Sequence, residues 1–166
     1  MLFTLNRIDH AVGQLEKALL VFFCFVLTMI MIAQVILRYF FSSPIFWAEE
    51  ISVQLLVFIT AFGISYLTQQ KQHIKIDFVL AQLSDSSKKK LMTVLDLVFL
   101  ALMAVVCYYS WEWVLRPDVQ VETSGTTGLP RWYNYMVLPV ALSFLCWHQF
   151  VALLNTFCGK PASEAA

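Results

Sequence analysis

Four long apolar stretches, separated by short polar connections, dominate the pattern of this chain. A membrane-spanning helix needs about 20 consecutive, mostly apolar residues, and each stretch reaches that length. The stretches cover about residues 19–40, 46–69, 91–115 and 132–157. The pattern therefore predicts an all-α integral membrane protein with four transmembrane helices, built as a single membrane domain over residues 1–166.

Two shorter apolar patterns predict helices that lie on the membrane and do not cross it. From the leader, residues 1–14, to the residue after it, apolar side chains recur at steps of three and four and so share one helix face: Leu5, Ile8, Val12 and Leu15. We expect a short amphipathic helix on the inner membrane surface, after which the chain turns into the bilayer. The apolar run that begins near Asp77 is too short to span and predicts a second interfacial helix.

Positive charge orients these spans. The connection between the second and third stretches holds five lysines: Lys71, Lys75, Lys88, Lys89 and Lys90. Short loops rich in Lys and Arg stay on the cytoplasmic side, so both termini are predicted to be cytoplasmic. Eight of the 11 basic residues then lie inside. Lys88, Lys89 and Lys90 directly precede the third span and are expected to anchor it at the membrane surface.

Composition supports the membrane assignment. The chain is 60% hydrophobic and 13% charged, whereas soluble domains are about 45–50% apolar and about 25% charged. The formal net charge is zero, so the total gives no sign of a nucleic-acid partner. The four cysteines form no Cys-x-x-Cys pair, and we expect small buried hydrophobic residues and no redox site. The first stretch is too long for a cleavable signal peptide and is expected to remain as a span.

Charged residues concentrate at the span ends. Glu49 and Glu50 follow Trp47 at the outer end of the second span. Neighbouring helix residues point about 100° apart, so we expect one carboxylate to pair with Arg38 or a neighbour, and the other to face water or a partner.

The third span carries Asp96 near its inner end and Glu112 near its outer end. Glu112 and Arg116 have the favoured i,i+4 spacing for an ion pair. In the second span, the small residues Ala61, Gly63 and Ser65 allow close helix approach, either within the chain or to a partner.

Candidate chemistry inside the membrane is sparse. A bis-histidine haem needs two inward-facing histidines, and of His10, His73 and His148 only the last lies in a span. We expect His148 to be a hydrogen-bonded residue of the core or inner interface. The polar residues at mid-depth are few, neutral and scattered: Gln34, Gln54, Thr60 and Ser143. The sequence indicates neither an enzyme nor a path for a charged solute within this chain.

Four motifs occur together in order along the chain. Arg38-Tyr39-Phe40-Phe41 closes the first span, and Trp47-Ala48-Glu49-Glu50 opens the second. His73-Ile74-Lys75-Ile76-Asp77 comes next, and Pro130-Arg131-Trp132 leads through Tyr135 to Pro139. On a four-span chain of this length and orientation, the set resembles the small membrane subunit of the tripartite ATP-independent periplasmic (TRAP) transporters.

The resemblance covers essentially the whole chain and implies partners. In that family a large membrane subunit of many helices holds the substrate and sodium sites, and a periplasmic binding protein delivers the substrate. The small subunit lies in the bacterial inner membrane among its lipids, carries no cofactor and braces the large one for uptake of an organic acid such as sialic acid or a C4-dicarboxylate. The resemblance implies roles in helix tethering, anchoring and subunit contact for eight residues: Arg38, Trp47, Glu49, Glu50, His73, Asp77, Pro130 and Trp132.

Two other classes of membrane protein stay open at this point. A membrane anchor subunit of a redox enzyme would bind haem or quinone, for which His148 is the one intramembrane histidine. A small homo-oligomeric exporter would need an essential acid at mid-depth, for which Asp96 is the nearest candidate.

Overall fold

The described part of the protein is almost entirely helical. The computed structural model describes residues 2–43, 45–70, 85–126 and 128–157; for Leu2, residues 85–90 and Phe157 it describes the backbone alone. Within these ranges the helices are α1 (Leu2–Phe40), α2 (Ala48–Gln69), α3 (Asp85–Val114), α4 (Pro117–Gln120) and α5 (Trp132–Phe157). Four of them, α1, α2, α3 and α5, are long and apolar enough to cross a membrane. The predicted all-α, four-span fold is confirmed.

The predicted turn between the leader and the first span is wrong. α1 is one continuous helix of 39 residues, about 58 Å long at 1.5 Å per residue. The predicted apolar stripe of the leader is not its packing face, since Ile8 and Leu15 are exposed. Asp9 of the leader instead contacts α2 through its carbonyl and α5 through its side chain, which holds the leader in line with the span. The second predicted interfacial helix lies outside the described residues.

The four spans pack in the order α1, α2, α5, α3, so that they form a row and not a closed bundle. α2 lies between α1 and α5, while α3 packs along α5. α1 also reaches α5, over a smaller area. Because α1 and α3 stand at the two ends of the row, they bury little of their apolar surface within this chain.

Aromatic rings fill the middle of the row. Phe23 of α1 contacts Phe58 and Phe62 of α2, with ring centroids 5.6 and 6.2 Å apart. Phe62 in turn lies 6.3 Å from Phe144 of α5. Ring pairs at such distances stabilise packing beyond simple burial. The small residues of α2 serve the same packing, because Gly63 faces Leu20 of α1.

The third span is fixed to the fourth by polar contacts of its own. Trp111 donates from its indole nitrogen to Ser143 Oγ at 3.2 Å, and Ser143 donates to the Pro139 carbonyl at 2.7 Å. The expected Glu112–Arg116 pair is not formed. α3 ends at Val114, so Arg116 lies beyond the helix and its guanidinium pairs with Asp118 at 2.9 Å.

Candidate functional site

A cluster of four polar side chains joins α1, α2 and α5 at the end of the row that is predicted to face the cytoplasm. We call this the inner end, and the opposite end the outer end. We name Asp9, Glu16, Ser65 and His148 the inner polar cluster. His148 Nδ1 lies 2.7 Å from Asp9 Oδ1, and its Nε2 lies 3.2 Å from Glu16 Oε2. Ser65 donates to Glu16 Oε1 at 2.6 Å. The expectation that His148 is a hydrogen-bonded core residue is confirmed.

Because these side chains are buried, the polar contacts between them are needed for the stability of the fold. The side chains of His148 and Glu16 have no exposed surface, and that of Asp9 is 18% exposed. A buried carboxylate without partners is strongly destabilising. Both ring nitrogens of His148 face carboxylate oxygens, so the cluster needs either a doubly protonated ring or a proton on one carboxyl group.

Two amide side chains extend this connection. Gln69 of α2 donates to the Asp9 carbonyl at 2.6 Å, and Asn155 of α5 donates to Asn6 Oδ1 at 2.9 Å. Gln69 fits because Gly13 has no side chain: a Cβ at that position would meet the Gln69 amide at 1.9–2.2 Å. The leader is thus bound to both neighbouring helices by polar contacts.

The inner end of α3 is held in the same way. Gln149 of α5, which is buried, donates to Asp96 Oδ1 at 3.2 Å. Asp96 is therefore paired with a neighbouring helix, and its side chain is not directed alone into a solute path.

Of the inner polar cluster, only His148 was predicted from the sequence as a hydrogen-bonded residue. One signal was present: Asp9 and Glu16 are seven residues apart, which is two helical turns, so they lie on one face. Two carboxylates on one face, just before an uncharged span, indicate polar partners on other helices. The sequence alone does not indicate which residues those partners are.

At the outer end, the two neighbouring glutamates have separate partners. Glu50 accepts hydrogen bonds from the hydroxyls of Ser124 and Thr126 in the outer loop. Glu49 is exposed, and Gln34 of α1 approaches it at 3.4 Å. One glutamate was expected to pair with Arg38 or a neighbour: Glu50 pairs with the neighbouring loop hydroxyls, and within the described ranges no ion pair joins Arg38 to either glutamate. Gln34 stands one turn before Arg38 and takes the position that faces α2.

The outer loop between α4 and α5 is folded back on itself. Thr123 and Pro130 form an isolated antiparallel bridge, and the Ser124 amide donates to the Leu129 carbonyl at 2.8 Å. Gly128 has φ +68°, a conformation that suits glycine. Because Glu50 binds this loop, α2 fixes the loop over its own outer end.

A groove of about 600 Å³ opens between α2, the start of α5 and this loop; we name it the outer groove. Its wall is mostly apolar, with the amides of Gln54 and Asn134 among the lining groups, and charged residues also line it. The residues that line it are Phe46, Glu49, Glu50, Val53, Gln54, Val57, Phe58, Thr126, Arg131, Asn134 and Tyr135.

The predicted site residues fall into three groups. Those that the structure describes fully all lie at the outer end of the row: Arg38, Trp47, Glu49, Glu50, Pro130 and Trp132. Trp132 starts α5 and stacks near Tyr133, with ring centroids 4.2 Å apart. His73 and Asp77 lie outside the described residues. Lys88, Lys89 and Lys90 are in the first turns of α3, where the backbone alone is described.

Comparison with known proteins identifies the family. Residues 27–159 match the model of the DctQ component of the tripartite ATP-independent periplasmic transporters. The chain belongs to the DctQ family of TRAP transporter components. The family's members are transporter subunits and not enzymes, and this chain is a four-span membrane subunit of that kind.

Three relatives illustrate the range of the family. The chain is 30% identical to the sialic acid TRAP transporter permease protein SiaT of Haemophilus influenzae, over 74% of this chain but only 19% of that protein. It is 24% identical to the C4-dicarboxylate TRAP transporter small permease protein DctQ of Vibrio cholerae, covering 93% of this chain and 76% of the relative. It is 26% identical to the ectoine TRAP transporter small permease protein TeaB of Halomonas elongata, covering 82% and 70%.

Proposed function

We propose that this chain is the non-catalytic scaffold subunit of a TRAP transporter, and that it braces a large membrane subunit during uptake of an organic acid. One observation carries the proposal: within the described ranges, the polar side chains of the spans mostly contact neighbouring helices or their own backbone. The middle of the row is occupied by phenylalanine rings. A solute path needs polar groups that face a cavity, and such groups are used here to hold helices together.

The shape of the row supports a partner. α1 and α3 leave long apolar faces uncovered, and a row of helices offers a broader side for contact than a closed bundle. The relative SiaT is a much longer permease protein, of which this chain matches 19%. In that protein the similar region is joined to a longer remainder, which is the arrangement we propose here between two separate chains.

The remaining features of the proposal follow from the family. The substrate is an organic acid, with sialic acid and C4-dicarboxylates as two of the candidates that the relatives' names offer. A periplasmic binding protein delivers it, sodium binds the large subunit, and the complex lies in the bacterial inner membrane. This chain holds neither substrate nor sodium.

Reconstitution into liposomes tests the proposal. We expect uptake of radiolabelled sialic acid or C4-dicarboxylate only when this chain, the large subunit and the binding protein are all present, and only with an inward sodium gradient. Uptake by this chain alone would overturn the scaffold role in favour of an exporter. Haem or quinone absorbance in the purified chain would overturn it in favour of a redox anchor.

A further inference from the structure

The outer groove has the features of a binding site for a helix. It follows α2 from Glu49 to Phe58, about 14 Å at 1.5 Å per residue. That length is roughly half of a hydrocarbon core about 30 Å thick. Its wall is apolar at Val53 and Val57, which are both exposed, so the groove is open from the side as well as from the outer surface.

Glu49 is a carboxylate of this groove that forms no ion pair within the described residues. It is exposed at the outer end of a span, and its one hydrogen bond in the described part of the chain comes from the neutral amide of Gln34, at 3.4 Å. Arg131 also lines the groove, yet no ion pair joins it to Glu49 or Glu50 among the described residues. Glu50 is already bound by two loop hydroxyls.

Polar groups within the groove favour a helix over a lipid. Gln54 and Asn134 line the wall, and Gln54 lies about 7.5 Å below Glu49 along α2. An acyl chain offers an amide no hydrogen bond, and a polar group left without one in hydrocarbon is unfavourable. A partner helix can provide polar side chains at both depths.

We propose that the outer groove receives a membrane-spanning helix of the large TRAP subunit, and that this helix carries a lysine or arginine near its periplasmic end as the counter-charge of Glu49. The assignment rests on the proposed function. It adds to that function the surface of contact and the chemistry of the partner. Two of the predicted interface residues then have different roles: Glu49 faces the partner, and Glu50 holds the outer loop.

Site-specific photocrosslinking tests the surface. A photoreactive p-benzoylphenylalanine replaces Val53 in the groove, or Val105 on α3 as the control, since both side chains are well exposed, at 62% and 55%. Each variant is expressed with the large subunit and the binding protein and irradiated in the native membrane. We expect a covalent adduct with the large subunit from position 53 and none from position 105.

Other outcomes overturn the groove without affecting the proposed function. An adduct with the large subunit from position 105 alone would place the contact on α3. An adduct from position 53 with lipid, with the binding protein or with a second copy of this chain would give the groove another occupant. The proposed function itself fails only if the large subunit neither crosslinks nor copurifies with the wild-type chain in mild detergent.

Charge variants test the counter-charge. Glu49→Gln keeps the size of the side chain and its contact with Gln34, and removes the charge. We expect recovery of the large subunit to fall by about tenfold. Glu112→Gln removes another exposed outer-end carboxylate, on α3, and should leave recovery unchanged. If Glu49→Gln recovers as much of the large subunit as the wild type does, and elutes as the wild type does in size-exclusion chromatography, the proposed counter-charge is excluded.

Discussion

Glu16 is fully buried at the inner end of the row, and its carboxylate is held by Ser65 and His148. A buried ion pair gives little net stability compared with an apolar replacement, but removing one partner leaves a charge buried and unpaired. We therefore expect this cluster to contribute structural specificity, because it fixes how α1 lies against α2 and α5. Three helices meet correctly only in the register that satisfies all of these groups.

His148→Ala is the direct test of that cluster. The change leaves the Glu16 and Asp9 carboxylates without their shared partner, so we expect a loss of roughly 3 kcal/mol in the free energy of unfolding. The measurement is thermal unfolding of the detergent-purified chain. His10→Ala is the matched control, because His10 is an exposed histidine on α1, next to Asp9 in the sequence. Equal melting temperatures for the two variants would contradict the structural role of the cluster.

Gly13 provides a second test, in which the sign of the effect depends on one neighbour. Alanine is about 1 kcal/mol better than glycine in a helix, yet a Cβ at position 13 would displace the Gln69 amide. We expect Gly13→Ala to destabilise the wild-type chain, because the hydrogen bond from Gln69 to the Asp9 carbonyl is lost. In a Gln69→Ala background the same change should stabilise. Destabilisation in both backgrounds would show that Gln69 is not the group that needs the space.

At the scale of helices, the four spans could be predicted because their signal is local: 20 or more apolar residues in a row require nothing beyond the segment itself. The path of the leader, in line with the first span, could not be predicted. Its apolar periodicity indicates a helix equally well on a membrane surface or against other helices, and the choice depends on partners far along the chain, such as His148 for Asp9. For the same reason the sequence left open whether Arg38 or another neighbour pairs with one of the two glutamates, whereas in the structure Gln34, one turn before Arg38, approaches Glu49.

A proline in the leader distinguishes the continuous helix from a separate surface helix. Ala11 is exposed, so Ala11→Pro disturbs the backbone of α1 more than its side-chain packing. A proline in a helix interior costs about 3 kcal/mol or more, and we expect a loss of that size in the unfolding free energy. Ala11→Gly, which breaks no backbone hydrogen bond, is the control. Were the leader a separate helix ending near residue 14, the proline variant would unfold like the glycine variant.

At the scale of the whole molecule, most of the apolar surface of the row of spans is left to contact lipid or a partner. The inner end is stabilised by buried polar contacts between helices, whereas the outer end carries an exposed carboxylate, a folded loop and a groove. This asymmetry was not predictable from the sequence, since the outer loop lies 74 residues from the glutamate that binds it. Motifs at the outer end are therefore best tested through the assembled transporter.

Glu50→Gln is the test for which the assembled transporter is required. The amide replaces one of the two oxygens that accept from Ser124 and Thr126, so the outer loop is held less firmly over α2. A net loss of about 1 kcal/mol corresponds to roughly fivefold weaker association if the loop supports the partner. We expect slower uptake in reconstituted liposomes, with the ratio of sialic acid to C4-dicarboxylate uptake unchanged, because this chain does not contact the substrate. Glu112→Gln, measured alongside, should transport as the wild type does, and a shifted substrate ratio in the Glu50 variant would contradict the scaffold role.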